Sequence, residues 1–171
     1  YMRNNNMLMR TVRGSDRVFD FYGWQGEIDV TNPATREYVW NKLKENYIDN
    51  GVDALWFDEA EPEIHPEHFD NLIWYKGRAD MVALLYPYYY SKMAYDGFKS
   101  IGRDDIITLT RCAYLGSQKF GSLVWSGDIE STFESLACQV KAGLNMSMCG
   151  IPWWNTDIGG FYGADITSDY F

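Results

Sequence analysis

The chain has 171 residues, enough for one domain with a sizeable core. Its net charge of −9 argues against nucleic acid as a partner, because that affinity rests on Lys and Arg neutralising phosphates. No apolar run approaches the roughly 18 residues of a membrane span, so membrane insertion is not expected either. Aromatic residues make up 17%, with seven Trp, 13 Tyr and nine Phe. That surplus suits either a bulky core or flat apolar walls for a sugar or another flat ligand.

In chain order, Asn4-Asn5-Asn6 and the charged stretch to Asp20 read as a solvated loop. Asn32 and Pro33 supply an N-cap and an N1 proline for a helix to about Asn50, with Val39, Leu43 and Tyr47 on its apolar face. Asn50-Gly51 stops it. Residues 52–57 read as a buried parallel strand with Asp58 at its carboxyl end. A polar loop over 59–77 leads to a second helix over 79–99, which Tyr86-Pro87 should kink or delay.

Asp104-Asp105 marks a turn before a strand over 106–110 that ends at Arg111. A glycine-bearing loop (116–121) precedes a strand over 123–125, which ends at Ser126-Gly127-Asp128. Ser131 and Glu134 have capping-box spacing and open a helix with Phe133, Leu136, Val140 and Leu144 on its core face. A last strand over 151–156 ends at Asp157. The three cysteines, Cys112, Cys138 and Cys149, have no CxxC spacing and an odd count, so they read as buried free thiols.

Strand and helix alternate, and each strand ends in a polar or charged residue. In parallel α/β folds ligands bind outside the carboxyl ends of strands. The expected fold is therefore α/β, a partial (β/α)8 TIM barrel with roughly four consecutive parallel strands and their helices, against the eight strands and about 250 residues of a whole one. Residues 1–171 read as a fragment of a single catalytic barrel domain. The abrupt start at Tyr1-Met2-Arg3 fits an N-terminus that lies upstream, and the compartment is left open.

Asp58, Arg111, Asp128 and Asp157 converge if these strands are neighbours. Two carboxylates at a barrel mouth suit glycoside hydrolysis, one attacking the anomeric carbon and the other protonating the leaving oxygen. Strand-end acids also serve metal sites or cap helices, and chemistry alone leaves those alternatives open. His65-Pro66-Glu67-His68 places two histidines three apart, but a zinc site usually takes a third protein ligand in a dry pocket, so no metal is expected.

Local motifs go further. Gly51-Val52-Asp53-Ala54-Leu55-Trp56-Phe57-Asp58-Glu59-Ala60-Glu61-Pro62 resembles the nucleophile region of glycoside hydrolase family 31. The stretch Leu109-Thr110-Arg111-Cys112 and the loop to Gly121 resemble its arginine strand, and Val124-Trp125-Ser126-Gly127-Asp128-Ile129 its acid/base segment. Gly150-Ile151-Pro152-Trp153-Trp154-Asn155-Thr156-Asp157-Ile158-Gly159-Gly160-Phe161 is similar to its next strand and loop.

The resemblance implies a retaining α-glycoside hydrolase, with Asp58 as nucleophile and Asp128 as acid/base. It also implies that Arg111 and Asp157 bind sugar hydroxyls, that Trp56, Trp125 and Phe161 wall the subsite, and that Glu59 touches it. Glu59 departs from the methionine many members carry there, which bears on which sugar is bound. The implied substrate is an oligosaccharide or glycoside, an α-glucoside first, then an α-xyloside or α-N-acetylgalactosaminide, with no cofactor. The remaining barrel and accessory β domains are the implied partners of this stretch. A carbohydrate-binding barrel without turnover is the alternative of a different class.

Overall fold

The computed structural model describes residues 1–20, 23–62 and 66–163. Three short strands, β1 (Arg10–Thr11), β2 (Val18–Asp20) and β3 (Trp24–Gly26), precede helix α1 (Pro33–Asn46). Strand β4 (Leu55–Phe57) follows, then a 3-10 turn at Pro66–Asn71 and the strands β5 (Leu72–Trp74) and β6 (Gly77–Arg78). Helices α2 (Ala79–Val82) and α3 (Tyr86–Ser100) lead to β7 (Thr108–Thr110), β8 (Ser122–Trp125), α4 (Phe133–Met148) and β9 (Trp154–Asn155).

Strands β4, β7, β8 and β9 form one parallel sheet in that order. The register pairs Leu55 with Thr108, Thr108 with Ser122, and Val124 with Trp154. Parallel strands joined by helical crossovers make this part of an α/β barrel, as the alternation in the sequence predicts, although β7 and β8 are linked only by a 3-10 turn at Ser117–Phe120. The four carboxyl ends therefore open on the same side.

Helix α1 forms where its signals are. Asn32 accepts a hydrogen bond from the Ala34 amide at 2.9 Å, and Pro33 occupies the first turn. Its Val39 and Leu43 pack on a core of Trp40, Phe57, Met93, Ala94, Phe98 and Ile106 that joins α1, α3 and β4. Full burial of one such side chain contributes about 1.5–3 kcal/mol. Tyr47, expected on the same face, is exposed because the helix ends at Asn46 and the chain tightens into a 3-10 turn at Ile48–Asn50. The break expected at Tyr86-Pro87 is present: α2 stops at Val82, and α3 restarts with Pro87 in its first turn.

Several expectations are corrected. The N-terminal stretch is not a solvated loop: Met7 and Met9 are buried, and β1 pairs antiparallel with β5 inside the segment read as a polar loop. Met9, Val30, Leu72, Trp74, Ala79, Ala83 and Tyr86 form the second core. The pairing escapes notice because Arg10 and Thr11 meet Ile73 and Leu72 across a sequence gap that no local pattern spans. The strand read over 52–57 begins only at Leu55, with Val52 exposed, and the strands read over 106–110 and 151–156 shrink to Thr108–Thr110 and Trp154–Asn155.

Helix α4 departs most. Its N-cap is Thr132, which accepts from the Ser135 amide at 3.1 Å, one residue after the Ser131 of the expected capping box. Phe133, Leu136, Val140 and Leu144 are exposed rather than core. The helix lies on β9 through Gly143, where a Cβ would stand 2.7 Å from the Trp154 ring, so its apolar stripe turns away from the sheet. Cys138 and Cys149 are exposed and Cys112 is half-buried, so the thiols are free but not core residues.

Candidate active site

Side chains alternate along β4. Phe57 enters the helix-facing core, which turns Trp56 to the opposite face, where it is 65% exposed and meets Trp125 edge-on at 5.7 Å. Asp58 follows at the strand's carboxyl end. One pair in register, Phe57 with Thr110, puts Arg111 beside it, just past the end of β7. The Arg111 amide donates to the Phe57 carbonyl at 3.3 Å, and its Nε donates to Asp58 Oδ1 at 2.7 Å.

The same guanidinium reaches the next strand. Arg111 Nη2 lies 3.1 Å from Asp128 Oδ1, and Nη1 lies 3.9 Å from Glu61 Oε1. The guanidinium carbon stands 5.5 Å from the Trp125 ring centroid, within cation–π range. Asp58 also accepts from the Glu59 amide at 2.9 Å, with Glu59 in the left-handed region at φ 53°. Partial desolvation works against the charge on Arg111, but the hydrogen bond and charge of Asp58, with Asp128 and Glu61 added, raise its pKa overall.

Asp157 follows β9 by two residues. Burial and the neighbouring Asp128 charge raise its pKa from the ordinary aspartate value, with Arg111 opposing. The loop behind it is laced to the loop after β8. Phe161 N donates to Ile129 O at 2.8 Å, Ser131 N to Tyr162 O at 2.8 Å, and Gly160 N to Asp157 O at 2.9 Å. Gly160 has φ +86°, and a Cβ there would stand 2.5 Å from the Ser131 backbone, so this close approach requires glycine. Phe161 is exposed, and its amide hydrogen bond ties its backbone to Ile129, the residue after Asp128.

The structure thus joins Asp58, Arg111 and Asp128 directly, with Trp125 against Arg111, the Glu59 amide on Asp58, and Trp56 edge-on to Trp125. Asp157 is coupled to it electrostatically, while Phe161 is linked to it only through the backbone bond to Ile129. The sequence marks Glu61 only as part of the Glu-Pro pair three residues after Asp58 in the quoted motif, with no role attached to it. Two neutral groups lie near it. The Tyr90 hydroxyl is pushed up to about 12 by burial first, then by Glu27, Cys112, Asp58 and Glu61. The Cys112 thiol is pushed up by burial and by Glu61.

Among the described residues no group of three or more His, Cys, Asp or Glu is placed to hold a metal. His65 lies outside the described residues, and His68 is exposed in the Pro66–Asn71 turn. Two acids on one guanidinium at the strand ends, flanked by tryptophan faces, suit displacement at an electrophilic carbon with proton transfer to the leaving group.

Residues 1–170 match the TIM-barrel domain of the glycosyl hydrolases family 31. The chain is similar to the uncharacterized family 31 glucosidase ORF2 of Pseudescherichia vulneris, 42% identical over 170 residues, covering 99% of this chain and 32% of that protein. It is 33% identical to α-xylosidase A of Aspergillus niger, covering 91% of this chain and 24% of that one. Its fold superposes on the crystal structure of a family 31 α-xylosidase from a soil metagenome, complexed with xylose. The TM-score is 0.93 and the identity 45%, over 98% of this chain and 25% of that one. The chain therefore spans a quarter to a third of the length of these relatives.

Proposed function

The chain belongs to glycoside hydrolase family 31, and from that premise we propose that its protein hydrolyses α-glycosides with retention, using Asp58 and Asp128. Residues 1–171 are then part of a single catalytic barrel, completed by further strands and helices and accompanied by accessory β domains. The observation that carries the reading is the shared Arg111 at the end of β7, which holds both carboxylates beyond the two strands that flank it.

In the first step an Asp58 oxygen bonds to the anomeric carbon. The glycosidic C–O bond breaks, and the Asp128 proton goes to the departing oxygen. In the second, Asp128 takes a proton from water as that water bonds to the anomeric carbon and Asp58 departs. Two inversions return the original configuration. Trp56, Trp125 and Phe161 supply apolar faces to the sugar, while Arg111, Asp157 and Glu59 meet its hydroxyls.

The substrate is an oligosaccharide or simple glycoside of α-glucose or α-xylose. The α-xyloside is supported by the 45% identity to a xylose-bound α-xylosidase, and the α-glucoside by the 42% identity to a family 31 glucosidase. Neither a cofactor nor a metal takes part. The test follows the product of aryl α-glucoside and aryl α-xyloside hydrolysis by proton NMR on the full-length protein. The α-anomer should appear first. A β-anomer first, or loss of activity after exhaustive metal removal, would overturn this mechanism. Binding without turnover would instead leave a carbohydrate-binding barrel.

A further inference from the structure

We propose that Glu61 is a positioning residue, holding the Arg111 guanidinium between Asp58 and Asp128 through both halves of the reaction; this rests on the hydrolase reading above. The three guanidinium nitrogens face three different carboxylates: Nε meets Asp58 at 2.7 Å, Nη2 meets Asp128 at 3.1 Å, and Nη1 meets Glu61 at 3.9 Å. A guanidinium is a rigid planar fork, so its orientation is set by all three partners at once. Glu61 is also joined to the residue after the arginine, because the Cys112 thiol points at Glu61 Oε2 from 3.9 Å. The carboxylate thus holds both the head of Arg111 and the chain that follows it.

The chemistry gives this third contact a purpose. When Asp58 becomes an ester it loses its charge, and Asp128, having given up its proton, gains one. The anionic load on Arg111 moves from the Nε edge to the Nη2 edge. Glu61 takes no part in bond making and keeps its charge throughout, so it anchors the fork while the other two exchange roles. Without it, Arg111 is free to follow Asp128 and occupy the oxygen that must next accept a proton from water. The loss then falls on the hydrolysis of the glycosyl-enzyme more than on its formation.

The test uses the full-length protein, and hydrolysis by the unaltered form is its premise. If that form does not turn over α-glycosides, the functional reading fails and this inference with it. Given turnover, E61Q is expected to lower kcat by about 10-fold while lowering KM, with the glycosyl-enzyme accumulating on an aryl substrate with a good leaving group. In an R111K background the same change should cost less than about 3-fold, because Glu61 acts through the guanidinium. E61D, which keeps the charge, should recover much of the loss.

Additive effects of E61Q and R111K would overturn the proposal while leaving the hydrolase reading intact. So would an E61D as poor as E61Q at equal melting temperature. If E61Q does not fold, the structure of the unaltered protein trapped with a 5-fluoro glycosyl group on Asp58 decides. Glu61 still facing Nη1 of Arg111 supports the proposal, and Glu61 turned away ends it.

Discussion

Arg111 and Asp58 are joined twice, once through the sheet and once through side chains. The Arg111 amide donates to the carbonyl of Phe57, the residue before Asp58, at 3.3 Å, and the Arg111 Nε donates to the Asp58 carboxylate at 2.7 Å. The strand register therefore fixes the side-chain contact: slipping β7 by one residue against β4 would turn Arg111 to the helix side. Both partners retain solvent contact, so the pair does more to orient groups than to stabilise the fold.

The two acids should separate by substrate. For Asp128→Asn, hydrolysis of alkyl or disaccharide α-glycosides should fall by about 10²- to 10⁴-fold, the usual worth of general acid catalysis. Glycosyl fluorides, whose leaving group needs no proton, should lose much less in formation of the glycosyl-enzyme. For Asp58→Asn, all substrates should fall together by on the order of 10⁴-fold or more. Steady-state rates on the two substrate types distinguish the roles, and equal losses on both with Asp128→Asn would remove it as the acid.

Asp157 should make the folded protein sensitive to pH. Its folded pKa is raised, by burial first and by Asp128 second, so the native state holds this proton more tightly than the unfolded chain. Its contribution is therefore present below the unfolded carboxylate value and is lost as pH rises through the raised folded value. Asp157→Asn removes the ionised group, so it should raise the melting temperature at pH 7 and have a vanishing effect near pH 3. A melting series across that range checks the sign.

Gly97→Ala should destabilise through packing. A Cβ at this position in α3 would stand 2.0 Å from the Trp40 ring of α1, so the ring or the helix must shift. Overpacking of this kind costs about 1–3 kcal/mol, more than the roughly 1 kcal/mol that alanine gains over glycine in a helix. Chemical denaturation of the full-length protein measures the net loss, and an unchanged midpoint would show that the helices separate freely.

The exposed stripe of Phe133, Leu136, Val140 and Leu144 should make residues 1–171 self-associate when produced alone. Val140→Glu with Leu144→Lys should raise the soluble fraction of that fragment. The same pair placed in the full-length protein should lower its melting temperature if further barrel elements cover this face. Sedimentation of the fragment and melting of the whole protein read the two arms separately.

What the sequence by itself determined was local. The N-cap at Asn32, the restart of α3 at Tyr86-Pro87, and the polar residue closing each short apolar run are written within a few residues of where they act. Asp58, Arg111, Asp128 and Asp157 were legible for that reason, since a strand end is a local signal. Only the tertiary structure decided what depends on residues far apart in the chain. The pairing of Arg10 with Ile73 is one case, the third contact of Arg111 with Glu61 another, and the outward face of α4 a third. Periodicity states that a helix has an apolar face, but which neighbour covers that face is settled by packing across the whole domain.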